Sequence, residues 1–388
     1  MALNPGTKLG PYEVESPLAA AKRQIRMSTL PVLPVVALAL GLLSESGSAQ
    51  TPEQLPRVHI LATGGTIASV YDPSKGGFVP SLSAEQLIAA APEIKKHATI
   101  TFEQVANVGS PDMNPIIWLQ LLERANAVLA DPAVAGVVIT HGTDTLEETA
   151  YFMDLTVGSE KPVILVGSQR AASLADSDGP RNLLDAVRVA VSPEAVGMGA
   201  MVVMNGQINA AREVTKTNTI APETFKTVEF GELGVADVGA VRFYRRPLRR
   251  QHVALPPRPQ LARVEIVNHY AGNDGLVLRQ LLRGPEPFGQ PDSHDGVVIA
   301  GTGLGNVGER MFETVKELLG RGIPCIVSTR VPTGRQIPLY ASPGSALSLL
   351  REGCILSDNL SPQKARILLM VVLAVTRDRS EIKKHFEY

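Results

Sequence analysis

Arg57-Val58-His59-Ile60-Leu61-Ala62-Thr63-Gly64-Gly65-Thr66 decides how this chain is read. A β-rich run ends abruptly in paired glycines between threonines, which reads as a first strand with its C-terminal turn. A second apolar run, Val134 to Ile139, ends in Thr140-His141-Gly142-Thr143-Asp144-Thr145. Between the two, Thr99 to Asn107 reads as a strand and Pro115 to Leu129 has helical apolar spacing. Beyond them, Leu146 to Leu155 reads as helix, Pro162 to Val166 as strand, 180–190 as helix and 200–204 as strand. Residues 67–82 carry Gly, Pro, Asp and Ser and read as a surface loop, and Ser83-Ala84-Glu85-Gln86 fits a capping box opening a helix. Strand, loop and helix in repetition predict βα units on a mainly parallel sheet. Sites in such sheets lie beyond the C-terminal strand ends. The polar clusters 63–66, 109–112, 140–144 and 167–170 all fall there.

Residues 245–260 break this rhythm with Arg-Arg-Pro, Arg-Arg and Pro-Pro-Arg-Pro, an expected extended linker with solvated charges. Strands at 262–268, 296–300 and 323–327 then alternate with helices at 275–282, 307–319 and 361–375. The predicted fold class is therefore α/β in two domains. A larger N-terminal, mainly parallel sheet domain spans 57–244, and a smaller C-terminal α/β domain spans 261–388.

Composition supports a globular reading: of 388 residues, 44% are hydrophobic and 19% charged. The formal net charge of -1 and aromatic content of 4% offer neither a field nor a stacking platform for nucleic acid. Cys325 and Cys354 are too few for a thiolate zinc site and read as small buried hydrophobes. The first fifty residues differ from the rest. A basic stretch at 22–26, an apolar run from Leu30 to Leu43 and the small polar exit Ser44 to Gln50 form a secretory leader. Residues 27–49 are the expected signal peptide, cleaved after Ala49, which implies a secreted or periplasmic product. Residues 1–26 lie upstream of it. Their stretch 5–14 resembles the opening strand of bacterial serine/threonine protein kinases without the glycine loop such a kinase needs. Translation is expected to begin at Met27.

A threonine on a glycine turn can serve as nucleophile when a base or charge network helps it. Taken alone, Thr66 reads equally well as part of a structural turn. The 140–145 loop adds Thr143, able to polarise a water, and Asp144, able to accept from an ammonium or hydroxyl. His141 reads as a packing residue or as a general base. Lys216, in Val214-Thr215-Lys216-Thr217-Asn218, could be held against Asp144 and Thr143.

These motifs together resemble the bacterial L-asparaginase family, in its secreted type II branch. The match runs through Ile60–Ala68, Ile139–Ala150, Asp178-Gly179-Pro180, Val214–Asn218, Ser328–Gly334 and Ser361-Pro362-Gln363-Lys364-Ala365-Arg366, and covers essentially all of 57–388. The resemblance implies hydrolysis of L-asparagine to L-aspartate and ammonia. Thr66 would be the nucleophile, and Thr143, Asp144 and Lys216 a second polar set. Ser110 and Asp112 would hold the α-carboxylate and α-ammonium, and the Ser168 carbonyl would receive the leaving nitrogen. It also implies a tetramer built as a dimer of dimers. No metal or organic cofactor is expected, because hydrogen-bond donors alone can activate a carboxamide.

Several positions depart from the family. Phe78 stands where a loop tyrosine that helps the nucleophile is expected, and Tyr71 is the alternative activator. Pro111 replaces a glutamine or glutamate. Gly272 stands where the neighbouring subunit supplies an asparagine, with Asn273 one step on, and no acid lies near Ala341. These changes keep two alternatives open: a glutaminase-asparaginase that also takes L-glutamine, and a non-catalytic periplasmic amino-acid-binding protein.

Overall fold

The computed structural model describes residues 54–283 and 294–387, together with the backbone of Lys8–Leu9 and Tyr12–Glu13, which pair as a small antiparallel hairpin. The expected signal peptide at 27–49, and all of 1–26 except that hairpin, lie outside the described residues.

Strand β1 (Arg57–Gly64) lies one strand in from the edge of the eight-stranded N-terminal sheet. It pairs in parallel with β4 (Thr99–Val108) on one side and β5 (Val134–Thr140) on the other. Parallel strands β6 (Val163–Val166) and β7 (Ala200–Met204) follow β5 outward. The chain thus steps from β1 to β4 and then crosses to the opposite flank at β5. That reversal opens a crevice at the C-terminal end of β1, where open α/β sheets bind ligands.

The sheet then continues antiparallel through β8 (Gln207–Ala210), β11 (Gly234–Asp237) and β12 (Ala240–Phe243). The β7–β8 turn is Asn205-Gly206, with φ 51° and 74°. Two left-handed residues in a two-residue turn match the twist of a hairpin, so this dipeptide carried a hairpin signal within the sequence. A second hairpin corrects the surface-loop reading of 67–82: β2 (Ser69–Asp72) pairs with β3 (Gly77–Pro80). Its strands are too short and too rich in turn residues to show a period of two.

The helices form where caps and apolar spacing place them. Helix α1 (Ala84–Ala90) has the expected Ser83/Gln86 capping box. Asn114 caps α2 (Pro115–Leu129) by accepting from the N–H groups of Ile116 and Ile117. Helices α2 and α3 (Leu146–Thr156) cover one sheet face, with Trp118 stacked on Phe152 at 5.2 Å. Helix α4 (Gly179–Ala190) covers the other face.

The C-terminal domain has a four-stranded parallel sheet, β13 (Val264–Asn268), β14 (Gly296–Gly301), β15 (Cys325–Thr329) and β16 (Ile355–Leu356). Helices α5 (Leu276–Leu282), α6 (Glu309–Gly320) and α7 (Ala346–Glu352) flank it. Helix α8 (Pro362–Leu373) joins the same apolar cluster as α3, so the two domains share one core. The connecting 245–260 segment is extended, with Arg246 and Arg258 exposed, but three of its five arginines are paired. Arg245 pairs with Glu213, Arg249 with Asp358 and Arg250 with Glu160, while Val253 is buried.

Candidate active site

Three turns meet at the end of β1 because two of them carry glycine at the point of contact. Gly65 has φ 80°, and a Cβ there would lie 2.2 Å from the Gly142 Cα. A Cβ on Gly142 would in turn lie 2.8 Å from Ser110 Oγ. Backbones this close leave no room for a side chain. The stacking gathers Thr66, Ser110 and Asp144 around one cleft of about 480 Å³, with Gln169, Arg170 and Phe78 completing its walls.

Thr66 opens a 3-10 turn, Thr66–Ala68, whose Ile67 and Ala68 are buried. Its hydroxyl makes no hydrogen bond among the described residues, and it faces the cleft. Lys216 Nζ donates to Thr143 Oγ1 at 2.9 Å and to Asp144 Oδ1 at 2.7 Å. Thr143 Oγ1 donates onward to Gln169 Oε1 at 2.9 Å. The Lys216 side chain is 18% exposed and that of Asp144 60%. An ion pair so wetted contributes little stability, and its value here is orientation.

Lys216 ends the two-residue strand β9 (Thr215–Lys216), paired with β10 (Phe225–Lys226). So short a strand cannot fix itself, and a buried brace does so. The Lys216 backbone N–H donates to Glu147 at 2.6 Å, and Gln363 Nε2 donates to the other oxygen of that carboxylate at 2.7 Å. Lys364 Nζ donates to the carbonyls of Arg212, at 3.0 Å, and Val214. Burial pulls the Lys364 ammonium down to about 8. The Ser361–Arg366 motif thus reaches from α8 into the segment that delivers Lys216.

His141 is fully buried behind the loop. Its Nδ1 lies 2.7 Å from the Gly142 carbonyl, which can only accept, so Nδ1 carries the proton. Its Nε2 accepts from Thr149 Oγ1 at 2.9 Å, and that hydroxyl accepts from Trp118 Nε1 at 2.8 Å. Burial lowers its pKa to about 4, so the ring is neutral and acts by packing and hydrogen bonding.

Ser110 is buried; its Oγ accepts from the Asp144 N–H at 3.1 Å, and its carbonyl accepts from Thr145 Oγ1 at 2.7 Å. Asp112 is exposed on the same turn, outside the cleft lining. Ser168 is fully buried, with Oγ donating to the Arg170 carbonyl at 2.8 Å. Asp178 pins that loop by accepting from the N–H groups of Gln169 at 3.1 Å and Arg170 at 2.9 Å.

Tyr71 is exposed on β2 with its ring edge against Phe78, centroids 5.5 Å apart; Phe78 lines the cleft and Tyr71 does not. Asn273 lies in the C-terminal domain. Its amide is engaged in its own loop, Nδ2 donating to Asn268 O at 2.8 Å and Oδ1 accepting from the Gly275 N–H at 2.8 Å. Among the described residues no group of three or more His, Cys, Asp or Glu is arranged to hold a metal ion.

Gln169, Glu147 and Gln363 contribute as well, and the sequence singles out none of them individually. Gln169 lies inside the polar cluster 167–170 and Gln363 inside the Ser361–Arg366 motif. Glu147 looks like an ordinary first-turn helix acid, and nothing in the sequence marks it as buried.

Residues 57–249 match the family described as Asparaginase, N-terminal, and residues 263–386 the Glutaminase/Asparaginase C-terminal domain. The chain is similar to L-asparaginase 2 of Escherichia coli (strain K12), with 38% identity over 356 residues, 90% of this chain and 97% of that one. It is similar to the probable periplasmic L-asparaginase of Haemophilus influenzae, with 39% identity over 342 residues, 86% of this chain and 93% of that one. The crystal structure of the probable cytoplasmic L-asparaginase of Campylobacter jejuni matches at a TM-score of 0.76 and 36% identity, covering 86% of this chain and 99% of that one. The match runs through both domains and through the strand ends that build the cleft, and on that ground the chain belongs to the asparaginase family.

Proposed function

We propose that the chain hydrolyses L-asparagine to L-aspartate and ammonia by acyl transfer through Thr66. The observation that carries the reading is the Lys216–Thr143–Asp144 cluster, whose Asp144 lines the same cleft as Thr66. Thr66 Oγ adds to the side-chain carbonyl carbon while its proton passes to the leaving nitrogen. Ammonia departs and a β-aspartyl ester remains. Water, oriented by Thr143 and Asp144, cleaves the ester, releases L-aspartate and restores the hydroxyl. Splitting one hard step into two is the gain of covalent catalysis. Ser110 holds the substrate's carboxylate in the cleft, Asp112 takes its ammonium by turning inward from its exposed place on the same turn, and the Ser168 carbonyl receives the leaving nitrogen. Tyr71 reaches Thr66 when the 69–80 hairpin moves. Asn273 enters from a neighbouring copy in a tetramer.

A glutaminase activity is the second reading. Pro111 offers no side-chain partner to the substrate amine, and no acid stands near Ala341. One extra methylene is discriminated by only about 1–3 kcal/mol. We further propose membership of the secreted type II branch, on the leader pattern of residues 22–50 and the likeness to a periplasmic relative. N-terminal sequencing of the exported product, expected to start at Gln50, tests this; a start within 1–26 overturns it.

The central test is ammonia release from asparagine and from glutamine by the wild type, Thr66→Ala and Lys216→Met. Both variants are expected to lose at least about 100-fold in kcat. Unchanged release by Thr66→Ala removes the nucleophile assignment. Tight asparagine binding by a wild type that releases nothing supports the non-catalytic binding protein instead.

A further inference from the structure

Thr143 Oγ1 accepts a hydrogen bond from Lys216 Nζ, so its single proton must point elsewhere. It points at Gln169 Oε1, 2.9 Å away. The carbonyl end of the Gln169 carboxamide thus faces Thr143. The other end, Nε2, is buried and has no hydrogen-bond partner among the described residues. The side chain lines the same cleft as Thr66, Ser110 and Asp144. Its backbone is held by the Asp178 carboxylate, so it does not drift with its loop. A buried donor without an acceptor is costly, and such a donor in the wall of a substrate cleft is matched by an acceptor the ligand brings.

We propose that Gln169 positions Thr143 with its carbonyl end and contacts the substrate with its amide end, Nε2 donating to the side-chain carbonyl oxygen of the bound amide. This rests on the asparaginase reading of the cleft. Thr143 and Thr66 act on the carbon of that carbonyl, so its oxygen is the substrate acceptor nearest a residue hydrogen-bonded to Thr143. Charge grows on that oxygen as Thr66 adds, so the contact strengthens toward the tetrahedral intermediate. One carboxamide thereby ties the proton direction of the Lys216–Thr143 pair to the position of the reacting group. Neither end could do this if residue 169 were apolar.

The test compares Gln169→Met with Gln169→Glu. Methionine fills the space with neither acceptor nor amide donor, and kcat/KM for asparagine is expected to fall about 100-fold at every pH. The glutamate variant is the discriminating one. Ionised, it retains an acceptor for Thr143 but presents no donor and repels the developing oxyanion. Protonated, it offers both an acceptor and an O–H donor in nearly the shape of the amide. Its activity is expected to be low at neutral pH and to recover as pH falls through its own carboxyl pKa, with wild type and Gln169→Met showing no such rise. A purely structural role would not produce acid-side recovery.

Far-UV dichroism and thermal melts establish that both variants fold. Wild-type kcat/KM in folded Gln169→Met overturns the inference. So does a Gln169→Glu profile that is only a scaled copy of the wild-type one. Failure of the activity reading is separate: it shows as a wild type that releases no ammonia from either amide, and this inference falls with it.

Discussion

His141 sets the direction of a four-group chain. Trp118 Nε1 donates to Thr149, Thr149 to His141 Nε2, and His141 Nδ1 to the Gly142 carbonyl. Protonating Nε2 would set two donors against each other, and burial already lowers the pKa to about 4. In the unfolded chain the ring takes up its proton near the ordinary histidine value of about 6.5. Between those two values the unfolded state binds more protons than the folded one, so stability rises with pH across that window. The contribution is complete above about 6.5 and falls progressively toward pH 4, by up to about 3 kcal/mol. Urea unfolding between pH 4 and 7 should show this slope in the wild type and a shallower one in His141→Gln. Equal slopes would remove the histidine from the account. At this scale the sequence singles out Thr66, Thr143, Asp144 and Lys216 as candidates, at strand ends or in a polar run. It left the state of His141 open, because whether an imidazole is a base or a packing group depends on what surrounds it.

At the scale of elements, what distinguishes this site is how Lys216 is delivered. Strand β9 has two residues, too few to hold a lysine in register unaided. Glu147 on α3 and Gln363 on α8 supply what the strand lacks, one through the Lys216 N–H and the other through the same carboxylate. Gln363→Leu leaves that carboxylate one donor short and frees the segment. We expect kcat to fall about 10-fold with KM little changed, since misplacing a catalytic group by a fraction of an ångström costs rate before it costs binding. Steady-state kinetics on the folded variant decide it, and a rise in KM at constant kcat would place Gln363 in binding instead. Parallel strands and helices are legible here because apolar residues recur at fixed spacing and the Ser83/Gln86 box marks a helix start. The β2–β3 hairpin was not, because four-residue strands among Gly, Pro and Asp look like loop. The antiparallel extension was signalled only by Asn205-Gly206.

Across the whole molecule, the two domains are not separable units joined by a free linker. Helix α3 is buried along its length, and Ile367, Leu368 and Val371 of α8 lie in the same apolar cluster. Each such side chain contributes about 1.5–3 kcal/mol when buried. Lys364 adds a polar tie by satisfying two carbonyls of the N-terminal domain. A fragment limited to residues 57–249 should therefore expose this face. It is expected to bind the dye ANS, to unfold without cooperativity and to release no ammonia, although it carries Thr66, Thr143, Asp144 and Lys216. A cooperative, active fragment would show the C-terminal domain to be dispensable.

The α/β class, the two-domain division and the candidate site residues are legible along the chain alone. Those depend on local pattern: apolar periodicity, glycine at tight turns, and hydroxyl and charged residues at strand ends. Tertiary packing sets Gly65 on Gly142, aims the Thr143 hydroxyl at Gln169 Oε1, and braces the Lys216 segment through α8 of the other domain. These are contacts between segments far apart in the chain, and their partners are chosen by packing, which no local pattern encodes.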